Sequence, residues 1–224
     1  MKHSGGFHGQ MSDKFRAAVF IIASGGFQDA YTYSCRGGVF ANAQTGNIVL
    51  MSAALFSGDW ERVLKYLVPV MWFLLGIAAA EVVHIRFKSM EKIHWRQMIL
   101  FAEIALLAVV GFIPESLDAV ANALVSFVCA LQVQTFHKLH GRPYASTMCI
   151  GNMRSSVESL CAFFRSGDRE ALSKSLTYFL VILVFAAGAG AGCLVTQKLG
   201  ICAVWICCGL LLVSFLMMFV RERE

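Results

Sequence analysis

Proline and charge are both scarce in this chain. Three prolines occur in 224 residues, and Asp, Glu, Lys and Arg together make up only 15%. So few charges cannot clothe a soluble domain of this size. A hydrophobic content of 58% and a mean hydropathy of +0.65 suit a chain whose solvent is lipid. The metal and redox spacings are missing as well. None of the eight cysteines belongs to a C-x-x-C pair, so they read as small apolar side chains buried in helices. A P-loop, a G-x-S-x-G elbow and an H-E-x-x-H helix are absent, and no enzyme, cofactor or metal is expected. The first residues hold no short apolar core followed by an A-x-A site. A cleaved signal peptide is therefore not expected, and the first apolar run serves as its own insertion signal. The net charge of +5 comes from Lys and Arg that flank apolar runs and do not share one face, which argues against a nucleic-acid partner.

What the chain does have is a series of apolar runs punctuated by charged turns. After a polar tail over 1–15, spans are expected at about 16–36, 64–85, 97–113, 117–136, 176–195 and 201–220, with a charged tail at 221–224. About twenty helical residues rise about 30 Å, the thickness of a hydrocarbon core. Pro69 falls in the first turns of the second run, where a missing N–H costs least. Ser57 or Asp59 offers a cap for that helix. Gly188 and Gly192 have the small-x-x-x-small spacing of helix-packing faces.

Between these runs lie two mixed stretches, GGVFANAQTGNIVLMSAAL at 37–55 and ASTMCIGNMRSSVESLCAFF at 145–164. They align. Thr45-Gly46-Asn47 matches Ile150-Gly151-Asn152, and Ser57-Gly58-Asp59 matches Ser166-Gly167-Asp168. Lys65 matches Lys174, and Asp29 and Gln134 stand at the same distance before their glycines. A duplication follows, with repeats over about 16–114 and 115–220. If both mixed stretches cross the bilayer fully, Lys and Arg divide almost evenly between its sides, against the positive-inside rule. If each enters and leaves on one side, all 19 basic residues except Arg36, Arg62, Lys65 and Lys198 fall on the cytoplasmic side, with both termini. Charge selects the second arrangement. The expected fold is an all-α polytopic membrane protein of six transmembrane helices plus two broken or re-entrant helical segments. Three crossings per half is odd, so the halves form a 3+3 inverted repeat.

In hydrocarbon an unsatisfied backbone group costs several kcal/mol, so irregular backbone around Gly46 and Gly151 must line protein or a watery cavity. Helix ends exposed at such breaks can bind ions or polar solutes near the midplane. The candidate binding residues are Gln28, Asp29, Gln44, Thr45, Gly46 and Asn47 in the first half, and Gln134, Gly151 and Asn152 in the second. Asn47 and Asn152 could hold a solute through their amides or cap the helices that follow. Asp29, about 20 Å of helix beyond Arg16, could bind a cation, carry a proton, or make a structural hydrogen bond to the glycine-rich stretch. Gln132 and Gln134, its second-half counterparts, have no proton to exchange, and Glu103 is a weaker relay candidate. Arg154 and Glu158, four apart, pair on one helix face. Glu81-x-x-His84 has the spacing of half a di-iron site but lacks a second copy. It and the His137 and His140 loop read as groups at the membrane interface.

The run GF-x-DA…F…TGN (Gly26, Phe27, Asp29, Ala30, Phe40, Thr45, Gly46 and Asn47), inside GGFQDAYTY, GGVF and QTGN, resembles the YoaK family of bacterial membrane proteins, which carry a domain of unknown function. The resemblance covers about 15–220 and implies a multi-span inner-membrane protein; it supplies no catalytic residues. This chain has Gln28 where many relatives carry valine or isoleucine, and Ile150 where threonine would complete a second TGN. The expected function is a secondary transporter or permease for a small polar or ionic solute, with H+ or Na+ coupled through Asp29 and the lipid bilayer as partner. The alternative is a non-transporting assembly or sensor module, associating through faces such as 188–192, with a homo-oligomer allowed. A third reading is an intramembrane enzyme using Cys149, Cys161 or Glu158.

Overall fold

The computed structural model describes residues 8–87, 95–136, 138–139, 142–143 and 149–220. Its helices are α1 (His8–Cys35), α2 (Gln44–Phe56), α3 (Trp60–Phe87), α4 (Trp95–Val110), α5 (Asp118–Thr135), α6 (Cys149–Ser166), α7 (Arg169–Leu199) and α8 (Val204–Val220). Short 3-10 turns at Glu115–Leu117 and Gly200–Ala203 lead into α5 and α8. Part of the expected basic loop after α5 forms a minimal antiparallel pair, β1 (Lys138–Leu139) with β2 (Arg142–Pro143). The expectations for 1–7, 88–94, His137, His140, 144–148 and 221–224 lie outside the described residues.

Three stretches are long and apolar enough to cross a membrane: Trp60–Phe87, Glu115–Thr135 and Arg169–Met218, the last turning at Gly200 with φ 54°. Two of the expected spans fall short of that measure for different reasons. The centre of α1 carries Gln28, Asp29 and Thr32, which dilute its apolar run, and α4 is only 16 residues long. Phe56, Ile85, Phe112, Ile150 and Phe164 are exposed on the outside of the bundle, while Gln28, Gln97, Glu103 and Gln132 are buried in it. That is the reverse of a soluble protein's arrangement and matches the apolar exterior of a membrane bundle.

The two Ser-Gly-Asp turns are built alike. Gly58 (φ 78°) and Gly167 (φ 69°) adopt the left-handed backbone that ends α2 and α6. The Asp59 carboxylate then accepts from Arg62 N at 3.1 Å, and Asp168 accepts from Glu170 N at 2.9 Å, so each aspartate caps the next helix. Ser57 instead donates back to the Ala54 carbonyl. Because Asp59 starts α3 at Trp60, Pro69 lies well inside that helix and not in its first turns, which corrects the expectation.

Helix directions follow from named contacts. α7 runs parallel to α1, with Gly188 against Ala23 and Gly192 against Phe27 and Ala30. α3 runs parallel to α5, with Trp72 on Phe127 and Glu81 bonded to Gln134. α8 is antiparallel to α1, since Ser214 donates to Ala17 O at 3.1 Å and Tyr31 Oη donates to Ile201 O at 3.1 Å. α5 is also antiparallel to α1, through Gln132 to Ile21 O at 2.9 Å and Asn122 to Arg36 O at 2.8 Å. α4 opposes α8, with Trp205 donating to Ala108 O and Cys208 to Ile104 O. Hence α1, α4 and α7 point one way, and α3, α5 and α8 the other. α1 arrives at the end of the bundle from which α3 leaves, so α2 and its preceding loop start and finish at that end. The same holds for α6, between α5 and α7, at the opposite end. The principal packed pairs are α1 with α7 and α8, α3 with α5, α4 with α5 and α8, α2 with α3, and α6 with α7.

The glycines of α7 are spent inside the chain. A Cβ on Gly188 would run into the Ala23 backbone and one on Gly26 into the Phe185 carbonyl, whereas a Cβ on Gly190 would meet nothing. The 188–192 face therefore packs on α1 and is not open for association. The cysteines are also less uniform than expected: Cys129 and Cys207 are buried, but Cys161 and Cys193 are exposed, and all eight are free thiols. Gly188→Ala is expected to destabilise the bundle by about 1–3 kcal/mol through overpacking. Gly190→Ala is expected to be neutral or stabilising by up to about 1 kcal/mol. Thermal unfolding in detergent measures both.

Candidate functional site

The site is built at the break between α1 and α2. Gly37 (φ 80°) and Gly38 (φ 76°) take the left-handed backbone that glycine alone adopts without a penalty, and they reverse the chain. Residues 39–43 then run back alongside α1. Asn42 N donates to Asp29 Oδ1 at 2.7 Å, and Asn42 Nδ2 donates to Gly25 O at 3.2 Å. The N–H groups of Ala41 and Ala43 are also bonded to the Asp29 carboxyl. Three successive amides around one carboxylate, just before the start of α2, form a nest on which the positive end of the helix also acts. Asp29 thus makes the structural hydrogen bonds that were one of its three expected roles, while remaining 8% exposed.

Asn47, the fourth residue of α2, is buried and grips the peptide of Phe40 from both sides. Its Oδ1 accepts from Phe40 N at 3.1 Å, and its Nδ2 donates to Phe40 O at 2.7 Å and to Gln44 Oε1 at 2.9 Å. Gln44 Nε2 in turn donates to Ala41 O at 2.7 Å. The residue that precedes α2, Ala43, receives no side-chain cap. Asn47 is accordingly a clamp on the returning strand and not the expected helix cap. Gly46 serves the same contact, because a Cβ there would press on the Phe40 ring at 3.0 Å, and that ring stacks on Tyr33. Thr45 is exposed.

Gln28 joins α1 to α5: its Nε2 donates to Ser24 Oγ at 3.0 Å, and its Oε1 accepts from the Cys129 thiol at 3.0 Å. Gln134 stands elsewhere. Its Nε2 donates to Glu81 Oε2 at 2.7 Å, beside the Glu81–His84 pair, and the His84 ring packs on Trp95. Two residues apart on a helix is about 200°, so Gln132 faces α1 while Gln134 faces α3. Gln132, not Gln134, is the second-half glutamine that reaches the first helix.

In α6, Asn152 is buried, and Gly151 is exposed with open space around it. Ser156 donates to Ser175 O at 3.0 Å and fixes α6 on α7. Arg154 and Glu158 pair at 2.7 Å on the exposed side, as their spacing suggested. The first residue of α6, Cys149, lies within electrostatic range of the Asp29 carboxyl. The stretch that leads into α2 and the first residue of α6 thus both lie within the field of one acid.

The residue that sequence reasoning passed over is Arg36, treated only as a boundary charge. It is fully buried at the end of α1. Nε donates to Tyr31 Oη and one terminal nitrogen to Asp118 Oδ1, both at 2.9 Å; the other terminal nitrogen donates to Val110 O at 3.1 Å and Ile113 O at 2.9 Å. One guanidinium therefore fastens the ends of α1, α4 and α5, and Tyr31 extends the network to Ile201. The available signal was an arginine directly before the double glycine, with an acidic connection at 115–118 to answer it.

A family model described as a protein of unknown function, DUF1275, matches residues 17–217, from the described core of α1 into α8 and across both breaks. The chain belongs to the DUF1275 family. The YoaK naming drawn from the TGN run is consistent with that membership. No curated protein and no solved structure matches the chain. For this DUF1275 protein, Asn47→Ala is expected to leave the Phe40 N–H and C=O unpaired and to cost about 1–3 kcal/mol. Thr45→Ala, at an exposed position, is expected to stay within about 0.5 kcal/mol of the parent. Thermal unfolding in detergent, with proteolysis inside 37–43 as a local probe, separates the two.

Proposed function

We propose that this chain is an integral membrane permease for a small polar or ionic solute, with six crossings in a 3+3 inverted repeat. Support for the repeat comes from helix direction. α1 and α5, α3 and α7, and α4 and α8 are corresponding helices, and each pair runs in opposite senses. Exchanging first-half for second-half labels turns the α1–α7 contact into α5–α3, α2–α3 into α6–α7, and α1–α8 into α5–α4, so the packing pattern survives the exchange. In this arrangement α2 and α6 are half-helices that enter from opposite faces, and the uneven distribution of Lys and Arg supports a reading in which both termini face the cytoplasm across the inner membrane.

The observation that carries the function is the bonding of the stretch before α2 to Asp29, with the first residue of α6 within electrostatic range of the same carboxyl. Interrupted helices whose ends meet near the midplane are how transporters present backbone dipoles to a solute while keeping irregular backbone away from lipid. Asp29 supplies the charge there, with Asn42, Gln28 and Cys149 around it, and couples a proton or sodium ion to solute movement. Access alternates as one half rocks on the other. The Arg36 network, which ties α1 and α4 to α5 and Ile201, closes the outer end and must open in that motion.

Two measurements test the reading. In proteoliposomes, wild-type protein should carry a solute or ion flux that Asp29→Asn reduces at least tenfold, with Asp29→Asn first checked for a monodisperse, folded state. Flux that is absent, or unchanged by the substitution, favours a non-transporting assembly or sensor module. Cysteines placed singly at His94 and Arg142 should react with impermeant reagents from the same, cytoplasmic side. Reaction from opposite sides removes the inverted repeat.

A further inference from the structure

We propose that Glu103, a group the Asp29 site does not use, is a second loading site for a monovalent cation, a proton or a sodium ion, inside the bundle. Glu103 lies midway along α4 and is fully buried. Neither of its carboxyl oxygens has a hydrogen-bond partner among the described residues. A buried carboxyl without donors is costly as a bare anion, and a bound proton or cation removes that cost.

No donor among the described residues reaches it. Cys129 on α5 is within electrostatic range of both Glu103 and Asp29, and its thiol is already committed to Gln28 Oε1. On the turns of α5 either side of Cys129, Ser126 Oγ and Gln132 Oε1 are buried and also without partners among the described residues. α8 presents only thiols at this level: Cys207 in the core, and Cys208, which bonds the Ile104 carbonyl next to Glu103. From α3, Glu81 and His84 stand at the Trp95 end of α4, about 12 Å of helical rise away. Among the described residues no basic side chain forms an ion pair with Glu103; the buried arginine, Arg36, is bound to Asp118, Tyr31 and two carbonyls at the far end of α4. A fully buried acid with no hydrogen-bond partner among the described residues, in a core that also holds two unpartnered oxygens of α5, is a place for a small cation. Its part in a transport cycle rests on the permease reading; the binding of the ion does not.

Infrared difference spectroscopy of the purified protein in detergent tests this without any flux. Glu103→Gln is compared with wild type in sodium and in potassium buffers and in light and heavy water. Loss in the variant of a carboxylic-acid carbonyl band that shifts in heavy water supports a bound proton. Loss of a carboxylate band that moves between sodium and potassium supports bound sodium. Asp29→Asn should keep either band. A difference spectrum containing an ionised carboxylate indifferent to both exchanges overturns the proposal. If Glu103→Gln is not monodisperse, Glu103→Asp in the same buffers gives the readout, through a shifted acid or sodium-sensitive band against an unmoved one. Flux that fails while the band is found sinks the permease reading alone.

Discussion

A peptide group inside a bilayer has no water to turn to, and that constraint organises this molecule. Seven residues, 37–43, leave the helical pattern between α1 and α2 and still lie deep against α1. Their amides must be answered by side chains, since no ladder is available. Asp29 answers three of them and Asn47 grips the peptide of Phe40, so the chain can reverse within the bundle. The carboxylate expected to serve transport is thus also a structural part of the break. The two roles are compatible: a carboxylate held by fixed amides is preorganised, and the same amides would weaken their hold if it took up a proton.

The second anchor is Arg36. Buried charges are weak sources of net stability, but removing one partner of a buried pair strands the other. Here four acceptors converge on the guanidinium, two of them carbonyls at the end of α4, where helical bonding has run out, and the Tyr31 ring lies beside it. The arginine therefore completes one helix end while pinning the start of another. In a rocking permease such a knot has a second meaning. It joins first-half and second-half helices at the end where α1 arrives and α3 departs, so the halves cannot separate there while it holds.

Much of this arrangement could be read from the residues. Six apolar runs and two Ser-Gly-Asp turns mark elements that the structure holds as helices, because glycine reversal and aspartate capping are local effects, although α1 and α7 begin earlier, at His8 and Arg169, than their apolar runs do. Side-chain partners across helices were not legible. Gln134 aligns with Asp29 by count, yet helical phase turns it to Glu81 and brings Gln132 to α1 instead. Asn47 looked like a cap, since sequence spacing cannot tell a residue before a helix from one within its first turns. Pro69 was placed too early because the apolar run begins after the helix does. Arg36 was hidden because burial of a charge depends on carbonyls from α4 and a carboxylate from α5, far away in sequence.

The two halves differ in the polar groups around their breaks, and the difference bears on the proposed function. Around the first break the polar groups turn inward: Asp29, Asn42, Gln44 and Asn47 bond one another or the returning backbone, and α2 presents Ile48, Val49 and Leu50 outside. In the second half α6 keeps an exposed ion pair and bonds α7 through serines, while the residue equivalent to Asp29 is a glutamine engaged by Glu81. Among the described residues, then, only the first half has a buried carboxylate at its break. With Glu103 also in the first half, both buried acids of the core precede residue 115, and Gln28 joins their half to Cys129 of α5. The buried acids of the core are thus concentrated in the first half, and the second half meets them through neutral amides and thiols.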